Sequence, residues 1–180
     1  PMLATEFGCE PDDFTVSHFI KAITDVSPLG SIPTAPGAAT VTINPGKASG
    51  RLTGGNLSLV AATLGTPYEI DTHGAILYLE EVDEPPYRVD RLLWQLYLAG
   101  KLNSAAGIVF GECINCKNEK HSSYTLIEIL IDICGRLNKP SFYGLSAGHG
   151  ACKATLPLGV KAQMDAGKRQ LVIMEPATIK

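Results

Sequence analysis

The sequence predicts an α/β fold with a mainly parallel sheet and a C-terminal antiparallel hairpin. Three observations support this prediction. Apolar runs of strand length alternate with segments of helical periodicity, which is typical of right-handed strand–helix–strand units. These runs lack polar interruptions, as expected of strands that are buried on both faces. Near the end of the chain, two short apolar segments flank Asp165-Ala166-Gly167, and this turn signal indicates a hairpin.

The first predicted element is an amphipathic helix from Asp12 to Asp25, with acidic residues in its first turn. Its apolar face comprises Val16, Phe19, Ile20 and Ile23. A strand over Ala39–Ile43 is expected next. Leu57–Leu64 then has the composition of a short helix, with Asn56 as its N-cap and Gly65 as its left-handed terminator.

The stretch from Ala75 to Leu96 predicts a strand, a loop and a helix. Ala75–Leu79 is a continuous apolar run, and Glu80 and Glu81 follow it directly. Beyond the prolines, apolar residues recur at the spacing of one helical face, namely at Val89, Leu92, Leu93 and Leu96. Because ligands gather beyond the carboxyl ends of strands in open α/β sheets, the two acids are candidates for chemistry.

Two more strands and one helix complete the parallel series. Gly107–Phe110 and Ser141–Leu145 are apolar runs of strand length. The helix between them has an apolar face and Ser122 or Ser123 as its expected N-cap; that face comprises Leu126, Ile129, Leu130 and Ile133. Val160–Met164 and Gln170–Met174 are the predicted strands of the hairpin.

Composition excludes several classes of function. The chain has 180 residues, and its 15 Lys+Arg against 18 Asp+Glu give a net charge of -3 without a basic run. We therefore expect no nucleic-acid partner and no binding to an anionic membrane. Glu128 and Asp132 interrupt the longest apolar candidate, Leu126–Cys134, so no run reaches the ~18 residues that a membrane span needs.

The cysteines indicate a reducing compartment and no cofactor. Five cysteines, an odd number, are spread over a chain too long to need disulfide bonds, which favours the cytoplasm. Cys113 and Cys116 form a CxxC motif. A zinc site would need two more ligands at comparable spacing, and a redox dithiol would need a helix N-terminus, and the sequence supplies neither. We expect no metal site.

The strongest candidate for chemistry is His149 together with Glu80. Gly148 and Gly150 flank His149 and leave the imidazole accessible, as suits a general base. Since Glu80 and His149 both follow parallel strands, the two side chains should emerge at the same edge of the sheet. A carboxylate that accepts a hydrogen bond from one imidazole nitrogen makes two thirds of a catalytic triad.

Two other motifs compete with this pair. Gly144–Gly148 matches the GxSxG of a nucleophile elbow with Ser146 as nucleophile, but the helix that must follow at once is missing from the pattern. Gly54-Gly55-Asn56 precedes a helix and could present backbone N–H groups to an anionic ligand, or could simply be a tight turn with an N-cap. On the first interpretation, the chain is a non-catalytic peptide-binding or assembly domain.

Four motifs in order carry a family resemblance: LTGGNLSLVAATLGTP, ILYLEEVDEPPYRVDRLLWQL, the GH at Gly148-His149, and the LPLG at Leu156–Gly159. They resemble the C-terminal half of LD-carboxypeptidases, a serine peptidase family that includes microcin-immunity peptidases. The resemblance implies a swivelling β/β/α-type domain. It also implies a Ser-Glu-His triad that cleaves the bond between an L- and a D-amino acid in peptidoglycan tetrapeptides.

By this resemblance, Glu80 and His149 are the catalytic acid and base, with Glu81 as the alternative acid, and Asn56 lies in the substrate cleft. Residues 1–28 correspond to the end of an N-terminal domain and a connector helix, and residues 29–180 to the C-terminal domain. The family's nucleophilic serine belongs to the N-terminal domain, so we expect this chain to be inactive alone. The expected partners are a muropeptide or related peptide, the N-terminal domain, and a second copy in a homodimer.

Overall fold

A computed structural model describes residues 7–117 and 124–178. Eight strands of this part of the chain form one sheet. The strands are β1 (Gly30–Ser31), β2 (Val41–Asn44), β3 (Lys47–Asn56), β4 (Ile76–Val82), β5 (Gly107–Ile114), β6 (Ser141–Gly148), β7 (Lys161–Asp165) and β8 (Gln170–Ile173). The helices are α1 (Asp13–Thr24), α2 (Leu57–Ala62), α3 (Pro86–Leu98), α4 (Lys101–Ser104) and α5 (Leu126–Leu137).

The strand order is β1-β8-β7-β3-β4-β5-β6-β2. The four central strands, β3 to β6, are parallel to one another, and antiparallel pairs flank them on both sides. Strand β3 joins the two patterns, because Lys47–Arg51 pairs antiparallel with β7 and Leu52–Asn56 pairs parallel with β4. The predicted α/β class, with a parallel centre and a C-terminal hairpin, is confirmed.

Alternate residues of the central strands enter two hydrophobic cores on opposite faces of the sheet. On strand β4, Leu77 and Leu79 lie in the core beneath α2, α3 and α5, whereas Ile76 and Tyr78 lie in the core on the other face. This alternation follows from the two-residue period of a strand. It determines which polar side chains meet at the carboxyl edge of the sheet.

Several predicted boundaries shift by a few residues. Strand β4 continues through both acids to Val82, so Glu80 and Glu81 belong to the strand itself. Helix α2 ends at Ala62 rather than Leu64, and Gly65 follows in the left-handed conformation with φ +76°. The expected N-cap of helix α5 was wrong, because Thr125 caps it with a full capping box. Ser122 and Ser123 lie outside the described residues.

The apolar side of helix α1 is largely uncovered in the described chain. The predicted helix is present, with Asp12 as its N-cap, but its buried residues are Thr15 and Ala22. Ile20 and Ile23 remain 47% and 49% exposed.

None of the helices in residues 7–117 and 124–178 combines the length and apolarity that a membrane span requires.

Candidate active site

The carboxyl ends of β4 and β6 bring Glu80 and His149 together across the intervening strand β5. His149 follows β6 directly, and its Nδ1 donates a hydrogen bond of 2.7 Å to Glu80 Oε2. The Glu80 side chain is 6% exposed and that of His149 is 28% exposed. A buried carboxylate therefore orients an imidazole that still reaches solvent, as expected from their positions on parallel strands.

Two glycines make room for this pair. A Cβ on Gly148, whose φ is +105°, would lie 2.7 Å from Glu80 Oε2. A Cβ on Gly111, on the neighbouring strand β5, would lie 3.0 Å from Glu80 Cβ and 2.6 Å from the Tyr78 hydroxyl. Real Cβ atoms do not approach so closely without displacing their neighbours. The Glu80 side chain is thus held on both sides by backbone that carries no side chain.

Glu81 has a different environment. Its carboxylate accepts hydrogen bonds from Asn56 Nδ2 at 2.8 Å, from the Ser58 backbone N–H at 2.9 Å and from Ser58 Oγ at 2.6 Å. A fourth bond comes from the Val82 N–H at 2.9 Å. Because successive strand residues point to opposite faces, Glu81 holds the first turn of α2, whereas Glu80 contacts His149.

Both ends of the Asn56 side chain are used within the chain. Its Oδ1 accepts from the Leu59 N–H at 3.2 Å as the N-cap of α2, and its Nδ2 donates to Glu81. Gly55, rather than Asn56, lines the cavity beside His149. The structure thus gives Asn56 a local structural role, and its contact with a substrate stays a prediction.

The Glu80–His149 pair borders an open cavity of about 310 Å³. The other side chains of its wall include Tyr78, Thr155, Leu156 and Leu158. The hydroxyls of Tyr78 and Thr155 are buried and have no hydrogen-bond partner in the part of the chain that the structure describes. Burial, together with the nearby Glu80 carboxylate, raises the pKa of Tyr78, so this hydroxyl stays protonated.

Sequence reasoning missed these two cavity residues. Tyr78 precedes Glu80 by two positions on β4, so strand alternation alone places it on the same face. That signal was available in the sequence. Thr155 lies after β6 in a segment without helix or strand, and no local pattern in the sequence indicates that it approaches the site.

Replacing Tyr78 with Phe should leave the free energy of unfolding unchanged or raise it by about 1 kcal/mol. An unpaired buried hydroxyl carries a desolvation cost that the substitution removes. The matched control is Tyr143→Phe, because the Tyr143 Oη accepts from the Cys113 N–H at 3.3 Å and its loss should cost about 1 kcal/mol. Urea denaturation of the purified chain measures both values. A loss above about 1 kcal/mol for Tyr78→Phe would show that its hydroxyl has a partner.

Ser146 does not have the environment of a nucleophile. It lies within β6 and is fully buried, and its Oγ accepts a hydrogen bond of 2.9 Å from the Ala35 N–H. No helix follows the strand, since residues 149–160 form bends, a turn and irregular chain. The GxSxG spacing at Gly144–Gly148 is therefore a coincidence of a buried strand and not a nucleophile elbow.

Comparison with known proteins identifies the family. Residues 49–164 match the family model of the LD-carboxypeptidase C-terminal domain. The chain belongs to the LD-carboxypeptidase family. The matched range covers β3 to β7 apart from the first two residues of β3 and the last residue of β7, and so includes Glu80, His149 and the cavity beside them. The resemblance expected from the four sequence motifs is confirmed.

Named relatives agree with this assignment. A probable murein peptide carboxypeptidase of Bacillus subtilis is 46% identical over 132 residues, which are 72% of this chain and 41% of that protein. The crystal structure of a muramoyltetrapeptide carboxypeptidase from Oxalobacter formigenes is 31% identical with a TM-score of 0.82, covering 99% of this chain and 60% of that one. The structure of a microcin C7 self-immunity protein is 25% identical with a TM-score of 0.85. That match also covers 99% of this chain and 60% of the other.

This LD-carboxypeptidase domain therefore spans between 41% and 60% of the length of these three relatives. The described residues contain no group of three or more His, Cys, Asp or Glu side chains that could hold a metal ion. The chemical groups that the structure does assemble are one imidazole, one carboxylate and the cavity beside them.

Proposed function

We propose that this chain supplies the acid–base half of a serine carboxypeptidase that cleaves the L,D-amide bond of peptidoglycan tetrapeptides. The observation that carries the proposal is the 2.7 Å hydrogen bond between the His149 imidazole and the buried Glu80 carboxylate. It occurs at the edge of an open cavity, in a domain whose relatives are named murein peptide and muramoyltetrapeptide carboxypeptidases. The nucleophilic serine would come from an N-terminal domain.

In this proposal the two nitrogens of His149 have different roles. Because Nδ1–H donates to Glu80, the neutral ring has its lone pair on Nε2. Nε2 would take the proton of the serine hydroxyl as that oxygen attacks the scissile carbonyl, and would then give it to the leaving amine. Glu80 stabilises the imidazolium that exists between these two steps. A water molecule, activated by the same nitrogen, would resolve the acyl-enzyme.

Burial makes Glu80 an effective partner in this scheme. An ion pair that is shielded from water is weakened little by solvent screening, so a carboxylate that is 6% exposed stabilises the positive ring more than an exposed one would. The hydrogen bond also fixes the plane of the ring. His149 would thus act as the catalytic base, and Glu80 as the residue that positions it.

The experiment joins this chain to the part of the Bacillus subtilis relative that lies outside the 132 matched residues. It measures release of the terminal D-amino acid from a murein tetrapeptide. We expect turnover by the folded fusion and none by the chain alone. His149→Ala in the fusion should lower kcat by about 10²- to 10⁴-fold, the usual contribution of a general acid–base group. Ser146→Ala is the control and should leave kcat within about twofold, since Ser146 is outside the proposed machinery.

Two outcomes would overturn the proposal. One is turnover by the chain alone that is lost in the His149→Ala variant and retained in Ser146→Ala, because the nucleophile would then lie inside this chain. The other is a fusion with native circular dichroism and cooperative unfolding that leaves the tetrapeptide intact. A fluorophosphonate probe gives a second readout. It should label a serine in the added N-terminal domain of the fusion and should not label Ser146.

A further inference from the structure

A groove between helices α3 and α5 is lined by aromatic and acidic side chains. It forms a cavity of about 350 Å³ on the helix-covered face of the sheet, and none of its lining residues lines the cavity beside His149. Helix α3 contributes Tyr87, Asp90 and Trp94, whose spacing of three and four residues places them on one face of the helix. This cavity is termed the helix groove below.

Helix α5 supplies most of the opposite wall of the helix groove. Its residues Glu128, Asp132 and Arg136 follow one another at intervals of four and so share one face of the helix. Tyr124, just before the helix, adds a third aromatic side chain. With Asp90 from α3, the lining has three carboxylates and one guanidinium, so the acidic groups outnumber the cation by two.

Arg136 shows which kind of group this lining holds. Its guanidinium carbon lies 5.2 Å from the centroid of the Trp94 ring. Its Nε and Nη2 donate to the two carboxylate oxygens of Asp132 at 3.2 and 3.1 Å. The face of an aromatic ring attracts a cation, and a carboxylate accepts hydrogen bonds from its N–H groups. One end of the helix groove therefore binds a cation of the chain itself through a ring and a carboxylate.

The other end of the helix groove has the same combination of groups without such a cation. Because α3 and α5 both connect parallel strands, they run in the same direction, so Tyr87 and Asp90 lie beside Glu128 at the N-terminal ends of the two helices. Asp90 has no hydrogen bond or ion pair within the described chain. Glu128 uses Oε2 to cap α5, and its Oε1 has no partner among the same residues.

The groups around this end leave its negative charge uncompensated. Hydrogen bonds from the Thr125 N–H and hydroxyl lower the pKa of Glu128, so its carboxylate stays ionised. Arg88 lies with its guanidinium carbon 5.9 Å from the centroid of the Tyr87 ring, but it does not line the helix groove and pairs with Glu84 at 3.1 Å. This end of the groove therefore attracts a positive charge from outside the chain.

We propose that the helix groove binds a small organic cation, namely an ammonium group on an alkyl chain. An ammonium group has three N–H donors, enough to bond the carboxylates of Asp90 and Glu128 together. The alkyl chain would pack on the aromatic side chains, and Tyr87 would add a cation–π contact. Within residues 7–117 and 124–178, no three acidic, His or Cys side chains converge as metal ligands do, which favours an organic cation over a metal ion.

The test titrates cadaverine, a linear alkyl diamine, into the full chain at constant ionic strength and follows the fluorescence of Trp94. Trp94 is the only tryptophan in the sequence, so its emission reports directly on the helix groove. We expect a saturable change with a Kd of about 1 mM or lower, in keeping with a ligand of this size. The uncharged diol of the same chain length should bind at least about tenfold more weakly, because it lacks the charge-assisted hydrogen bonds.

Asp90→Asn removes one carboxylate from the helix groove with almost no change of shape, and it should weaken cadaverine binding by about tenfold. Asp13→Asn is the matched control. Asp13 is exposed on α1 and does not line the groove, so the loss of the same charge there should leave Kd within about twofold. Tyr87→Leu keeps an apolar side chain at an exposed position and removes the ring, which should weaken binding by about threefold.

Three results would overturn the inference. The first is the absence of saturable binding to the wild-type chain, by fluorescence and by calorimetry, up to about ten times the expected Kd. The second is equal affinity for cadaverine and the diol, and the third is equal weakening by Asp90→Asn and Asp13→Asn. The wild-type titrations decide the question even if a variant folds poorly. Because no step measures hydrolysis, the result does not depend on the proposed function.

Discussion

Glu80→Gln is expected to lower kcat of the fusion by about 10³- to 10⁴-fold, with little change in its fold. The amide has nearly the same shape as the carboxylate, so it can occupy the space between Gly111 and Gly148. It carries no negative charge to stabilise the imidazolium, and its NH₂ can turn toward Nδ1 and favour the wrong tautomer of His149. Initial rates of tetrapeptide hydrolysis at saturating substrate measure the loss.

Glu81→Gln, one residue along the same strand, is the matched control. Ser58 donates twice and Asn56 once to the Glu81 carboxylate, and an amide cannot accept all of these hydrogen bonds. We expect a loss of about 2 kcal/mol in the free energy of unfolding. The loss of kcat should be at least about tenfold smaller than for Glu80→Gln. If Glu81→Gln instead caused the larger loss of kcat in a folded protein, the assignment of Glu80 as partner of His149 would be wrong.

Gly148→Ala should destabilise the isolated chain by about 2 to 3 kcal/mol, the range of a strained backbone residue combined with a steric clash. The new methyl group would meet Glu80 Oε2 at 2.7 Å and Glu80 Cβ and Cγ at 3.0 Å, while φ is +105°. Since the Glu80 carboxylate is hydrogen-bonded to His149, it cannot move aside without losing that contact. Urea denaturation of the chain measures the change.

Gly65→Ala separates the two causes of this loss. Gly65 also has positive φ, at +76°, but no heavy atom lies within 4 Å of a Cβ placed there. Its substitution should cost only the left-handed backbone strain, about 1 kcal/mol. Equal losses of unfolding free energy for the two variants would mean that the Glu80 side chain moves away from the new methyl group without cost. Gly148 would then not be needed to hold the carboxylate in place.

The prediction of α1 illustrates the limit of a local pattern. The apolar spacing of this segment correctly indicates a helix, and Asp12, predicted as its first residue, is its N-cap. The pattern also suggests a buried stripe, whereas Ile20 and Ile23 are about half exposed in the described chain. Periodicity reports which side of a helix favours a hydrophobic partner, and only the packed structure shows whether this chain supplies one.

The candidate acid, Glu80, shows the same difference between what is local and what is not more clearly. The apolar run that ends at Glu80 and the glycine-flanked His149 are local signals, and parallel strand order is enough to predict that they share one edge. The choice between Glu80 and Glu81 is not local, because it depends on which face of β4 is turned toward the end of β6.

The sequence by itself determined the α/β class, most of the strands and helices, and the two elements that carry the candidate acid and base, because each of these depends on the polarity pattern of contiguous residues. Four motifs indicated the family. The patterns did not predict the central strand β3 or the short elements β1 and α4. Only the tertiary structure shows that Glu80 rather than Glu81 contacts His149. It also shows that Ser146 is buried within β6 and that Tyr78 and Thr155 border the cavity. These features depend on strand register and on the packing of residues far apart in the chain, which short-range patterns do not specify.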